Sequence, residues 1–87
     1  MSNGTKVKSW GNGRITIAVE AGKWDTNREQ PHVHVYKNGK RTEARLPGNN
    51  SGILDYQDEK AANSLYDDNY NDIQETYQDV RDGKYGD

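Results

Sequence analysis

The sequence predicts a small α+β domain, in which an antiparallel β-sheet of three to four strands, built as two hairpins, packs against a C-terminal α-helix. Three observations carry this expectation. Asn38-Gly39 stands between two alternating runs, the strongest short-range hairpin signal. Arg14-Ile15-Thr16-Ile17-Ala18-Val19 alternates, with Ile15, Ile17 and Val19 on one face. Tyr70, Ile73, Tyr77 and Val80 recur at three- and four-residue intervals, the spacing of one helical stripe.

The chain has 87 residues, which fits a single domain spanning 1–87 with loose ends at about 1–5 and 84–87. Val, Ile and Leu number only twelve and there is no Phe, so the two Trp and six Tyr must supply much of the remaining apolar bulk. Such low aliphatic content points toward disorder only when net charge is high, and here it is −2. The charge is unevenly spread. Residues 1–54 hold nine Lys/Arg and four Asp/Glu, whereas residues 55–87 hold three and ten. A basic front is joined to an acidic back. There is no cysteine, which excludes disulfides, thiolate metal sites and thiol catalysis. No apolar run is long enough to span a membrane, and Met1–Thr5 has no apolar segment of a signal peptide. The expected location is the cytoplasm.

Taken in order, Lys6–Trp10 reads as a short strand, and Gly11-Asn12-Gly13 as a turn of two or three residues. Glu20 to Gln30 reads as a polar connector holding Trp24, long for a hairpin loop. A two-residue turn at Asn38-Gly39 places Tyr36 opposite Arg41, Val35 opposite Thr42, His34 opposite Glu43, Val33 opposite Ala44 and His32 opposite Arg45. Val33, Val35, Thr42 and Ala44 then face the core. His32, His34, Tyr36, Arg41, Glu43 and Arg45 share an exposed face. Pro47–Gly52 ends the strand. Ile53-Leu54 is a short strand or a helix lead-in, and Asp58–Leu65 a weak helix. The final helix is expected at about 67–82. Asp67, Asp68 and Asp72 favour its start, and Gly83 caps its end.

The run Gln30-Pro31-His32-Val33-His34-Val35-Tyr36 followed by Asn38-Gly39 resembles the Pro-His-x-His hairpin of the DUF4160-like small bacterial proteins. The resemblance covers roughly residues 13–46. It implies an N-terminal strand or hairpin, the Pro-His-x-His strand, a returning strand with a small residue at Ala44, and a closing helical region. Some members of that family lie near toxin–antitoxin genes, which implies a regulatory setting. The chain departs from the family in its acidic, Tyr-rich C-terminal region and in Gln30, where many relatives carry a second Pro.

The polar face of the hairpin admits several chemistries. His32, His34 and Glu43 together could hold a divalent metal, Zn or Fe, with open positions. The same two histidines could exchange protons on RNA, with Arg41 and Arg45 on a phosphate and Tyr36 and Trp24 stacking a base. A binding or regulatory module would use Tyr36, Arg41, Glu43, Arg45 and Trp24 to engage a protein or a nucleic acid. This last reading comes first, because the enzyme readings need more coincidences. Cross-strand pairs solvated on a plain surface are the remaining alternative.

Overall fold

The computed structural model describes residues 5–21 and 31–83. Four strands form one antiparallel sheet in sequence order: β1 (Thr5–Trp10), β2 (Ile15–Ala21), β3 (Val33–Lys37) and β4 (Lys40–Leu46). Two helices follow, α1 (Tyr56–Asp68) and α2 (Tyr70–Arg81), and both rest against β2. The architecture is the expected α+β arrangement, and the weak helix expected at Asp58–Leu65 is the longer α1.

One face of the sheet makes the core. Ile17, Val19, Val33, Val35, Ala44 and Leu46 are each buried on it. The helices close over them with Ala62, Ile73 and Tyr77, and Leu54 joins from the loop before α1. Trp10 pairs with Ile17 on this same face, and its indole N–H donates to Asp72 of α2 at 2.9 Å. Lys8 reaches the same carboxylate at 2.9 Å. The indole bond first, then the ammonium, holds the Asp72 carboxyl below the usual carboxylate range. Among the described residues no helix is long and apolar enough to cross a membrane.

The second hairpin has the expected turn, with Asn38 at φ 54° and Gly39 at φ 81°. Its register holds only as far as Tyr36 opposite Arg41. Beyond that, His34 faces Arg45 instead of Glu43, and Val33 faces Leu46 instead of Ala44. β4 therefore carries two extra residues. Thr42 stabilises the bulge, since its hydroxyl donates to the Val35 carbonyl at 2.6 Å and accepts from the Ala44 amide at 3.1 Å. An insertion of two keeps the alternation of faces, so Ala44 still points into the core and Leu46 joins it. Thr42 is only half-buried.

The first hairpin turn is also longer than two or three residues, with four residues between Trp10 and Ile15. Gly11 leaves the strand at φ 105°, and a Cβ there would meet Leu65 Cδ1 of α1 at 3.0 Å. The turn thus bends where α1 passes close by, and only glycine fits. β2 runs on through Glu20 to Ala21, so Glu20 belongs to the sheet and not to the connector. The rest of that connector, with Trp24, and the expected loose ends at about 1–5 and 84–87 lie outside the described residues, except for Thr5, which begins β1.

The helical region divides at Asn69. Its side-chain amide and its backbone N–H both donate to the Leu65 carbonyl, at 2.9 and 3.1 Å. The side chain thus shares the acceptor of the last helical bond, and α1 ends at Asp68, close to where the final helix was expected to begin. α1 starts at Asp55, whose carboxylate accepts from the Asp58 amide at 2.8 Å. Ile53-Leu54 forms a turn leading into it, both amides donating to the Asn50 carbonyl. In α2, Ile73 and Tyr77 are buried as the stripe requires, joined by Thr76. Tyr70 instead stays exposed, its ring edge-on to Tyr66 at 5.6 Å. Gly83 adopts φ 82° just past α2 and donates to the Val80 carbonyl, as a C-terminal cap does.

Candidate functional site

The other face of the sheet carries the polar residues. Lys6 pairs with Glu20, Ala18 with His34, Thr16 with Tyr36 and Tyr36 with Arg41. This face is not a plain solvated surface. Ala18 is fully buried, and Glu20 and His34 are 3% and 4% exposed. The expectation that both histidines share an exposed face fails for His34, because the strands on either side place Glu20 and Arg41 against it.

Glu20 is the hub of this network. Arg41 grips its carboxylate with two parallel bonds, Nε to Oε2 and Nη2 to Oε1, each 2.9 Å. The Tyr36 hydroxyl donates to Oε2 at 2.5 Å, and His34 Nδ1 lies 3.1 Å from Oε1. Burial alone would raise the Glu20 pKa, but the bonds from His34, Arg41 and Tyr36 bring it from 4.5 down to about 2. The Tyr36 hydroxyl is pushed up to about 12 by its own burial and its bond to that carboxylate. Arg41 Nη2 is also 2.9 Å from His34 Nε2. A guanidinium only donates, so Nε2 accepts and the ring proton sits on Nδ1, toward Glu20. Every polar atom of the His34 ring is thereby engaged. The Lys6 ammonium completes the cluster 4.8 Å from the centre of the Tyr36 ring.

A second group gathers at the far end of β4. His32, Glu43 and Arg45 line a shallow recess of about 300 Å³ with Pro47, Gly48 and Asn50. His32 is half-buried, and Glu43 and Arg45 are exposed. Asn50 builds the recess. Its side-chain amide accepts from the Arg45 N–H at 3.1 Å and donates to the Arg45 carbonyl at 2.9 Å. It thus covers the backbone of β4 as a neighbouring strand would. Its own N–H donates to Glu59 of α1 at 3.1 Å, tying the recess to the helical layer.

The six candidate residues of the hairpin therefore separate into two groups. His34, Tyr36 and Arg41 belong to the Glu20 network, and His32, Glu43 and Arg45 to the recess. The bulge takes Glu43 away from His34, and among the described residues no three His, Asp or Glu side chains converge as a metal site. The proposed Zn or Fe set is not assembled. The two-histidine arrangement for RNA chemistry is likewise divided, since His34 is buried and bonded on both ring nitrogens. Trp24 lies outside the described residues.

Sequence reasoning missed Glu20, Asn50 and Asp58. Glu20 was legible, because the alternation Ile15, Ile17, Val19 puts residue 20 on the opposite face, beside His34. Asp58 gave no such signal. It is fully buried between Arg14 and Lys37, its Oδ2 lying 2.9 Å from the Lys37 ammonium. Lys37 first, then Arg14, holds its carboxyl below the ordinary range against the effect of burial. The fold is a small α+β domain whose polar sheet face is divided into two groups. Compared with protein-family models, curated proteins and solved structures, the chain matches none of them.

Proposed function

We propose that the chain is a protein-binding module whose contact surface is β4 and the recess at its end. The observation that carries this reading is the alternation of sign along one exposed strand. Arg41, Glu43 and Arg45 are all exposed, and the last two meet His32 at the recess. A mixed-sign row suits a protein partner of complementary charge pattern, because like charges facing each other across an interface are strongly unfavourable. It suits a nucleic acid less, since Glu43 would face phosphate and the back half of the chain is acidic.

The Glu20 network supports the same reading by holding Arg41 and Tyr36 in place before any partner arrives. Addition of a partner strand to the edge is disfavoured. The bulge at Thr42 interrupts the edge, and Asn50 already occupies the backbone of Arg45. The partner would read side chains. The resemblance to the DUF4160-like family gives this reading its setting, a bacterial cytoplasmic regulator whose partner is encoded nearby, in the toxin–antitoxin manner.

Calorimetric titration tests this with the protein encoded by the adjacent gene and with a single-stranded RNA. The expected result is binding of the protein, weakened about tenfold or more by Arg45→Glu or Glu43→Lys. Tight RNA binding that Glu43→Lys strengthens would replace the proposal with a nucleic-acid one.

A further inference from the structure

The turns of the two hairpins carry the same dipeptide, Asn12-Gly13 and Asn38-Gly39, and all four residues are exposed. An asparagine side-chain amide is open to attack by the backbone nitrogen that follows it. Glycine leaves that nitrogen accessible because it has no Cβ to crowd it. Every other described Asn precedes a residue that has a Cβ. The two dipeptides differ in how their backbones are held.

Asn38-Gly39 is locked in a primed two-residue turn, with φ of 54° and 81°. The Asn38 N–H donates to the Arg14 carbonyl at 2.8 Å, and Lys37 pairs with Lys40 across the turn. Such a turn sets the Asn ψ at about +30°. Attack on Cγ needs a ψ far on the negative side, with the glycine nitrogen swung against the Asn Cβ–Cγ bond. Gly39 reaches that position only when the turn opens. Asn12-Gly13 is not held in this way, because the chain bends there without a turn hydrogen bond. The fixed points stand on either side. Gly11 lies against Leu65, while Arg14 is bonded to Asp58 and, through its carbonyl, to Asn38. Between them, Gly13 has nothing within 4 Å of a would-be Cβ, so this peptide can turn without meeting a neighbour.

We propose that Asn12 is a site of spontaneous deamidation in the folded protein, giving aspartyl and isoaspartyl forms, and that the second hairpin turn protects Asn38. The Gly13 nitrogen, its proton lost to water, bonds to the Asn12 Cγ, and the side-chain nitrogen leaves as ammonia. The product is a five-membered imide. Water then adds to one of its two carbonyl carbons, and the bond from that carbon to the Gly13 nitrogen breaks. Addition at Cγ gives Asp. Addition at the main-chain carbon routes the chain through Cγ and leaves a free α-carboxylate, which is the group an isoaspartyl carboxyl methyltransferase recognises. Either product adds a negative charge two residues from Arg14. The inference stands apart from the partner reading above.

The test uses the protein carrying Asn3→Gln, which removes the dipeptide Asn3-Gly4 outside the described residues. It is incubated at mildly alkaline pH, folded and in urea, then cleaved after glutamate and weighed. Fragment 1–20 then reports Asn12 alone, and fragment 30–43 reports Asn38 alone. In the folded protein, fragment 1–20 should gain the mass of amide replaced by acid about tenfold or more faster than fragment 30–43, which reacts only from opened turns. In urea the two rates should come together. The aged folded protein should accept methyl groups from S-adenosylmethionine through an isoaspartyl methyltransferase, and Asn12→Gln should abolish this. Gly13→Ala, which has room for its Cβ, should slow the reaction of Asn12 about tenfold while the fold is kept. Equal rates for the two fragments in the folded protein overturn the proposal. So does a fragment 1–20 that changes in urea but not in the folded protein, methyl acceptance that survives Asn12→Gln, or no methyl acceptance at all.

Discussion

Replacing Glu20 by Gln removes one charge and almost no volume. In the folded chain this carboxylate is 3% exposed and receives bonds from Arg41, Tyr36 and His34. Its pKa falls from 4.5 to about 2, a difference of about 2.5, and at about 1.4 kcal/mol per pH unit this sets a scale of about 3 kcal/mol. A folded pKa below the unfolded one stabilises the fold above pH 4.5 and ceases to do so as pH falls toward 2. A Gln amide must also present a donor to groups that themselves donate, although Arg41 is exposed enough to regain water. We therefore expect Glu20→Gln to cost about 2–3 kcal/mol at pH 7, a large share of the stability of so small a domain. Urea unfolding followed by far-ultraviolet circular dichroism measures it, as a lower midpoint at unchanged slope. Repeated from pH 7 to pH 2, the gap between wild type and variant should narrow below about pH 5 and nearly close by pH 2. A gap under about 0.5 kcal/mol at pH 7, or one independent of pH, would refute the hub role of Glu20.

Thr42→Val should cost about 1–2 kcal/mol in urea unfolding, because the Ala44 amide and the Val35 carbonyl both lose their partner. Gly39→Ala should cost about 1 kcal/mol at φ 81°, whereas Gly13→Ala, with open space at the Cβ, should be close to neutral. Leu46→Ala should cost about 2–5 kcal/mol, since Leu46 is fully buried in the core opposite Val33; a surface-like value would contradict that place. Phenolate absorbance should show Tyr36 titrating near pH 12. Its neutral form stabilises the fold below pH 10, and that contribution is lost as pH rises from 10 to 12.

The parts of the fold that could be read from the sequence were those fixed by local chemistry. Asn38-Gly39 dictates its turn by backbone sterics alone, and the alternation of Ile15, Ile17 and Val19 needs only one buried face. The bulge at Thr42 could not be read that way, because it depends on a hydroxyl finding a carbonyl on the neighbouring strand. The break at Asn69 was hidden behind a run of acidic residues that equally suits a helix start. At the site, the residue types were right but their grouping was not. One strand alternation places His32 and His34 side by side, yet Glu20, 14 residues upstream of His34, decides that one is buried and the other faces the recess. The alternation of β2 gives the face of Glu20, but which residue of β3 it meets depends on the pairing of β2 with β3, which leaves no periodic trace.

The central claim is that the β4 side chains and the recess are what a partner protein touches. Amide chemical-shift mapping tests it directly, with ¹⁵N-labelled protein titrated by the product of the adjacent gene. The account predicts saturable shifts at His32, Arg41, Glu43, Arg45 and Gly48, and small ones at His34, which Glu20 and Arg41 hold in place. Saturable binding that leaves those hairpin amides unmoved and shifts the helical surface instead would contradict it.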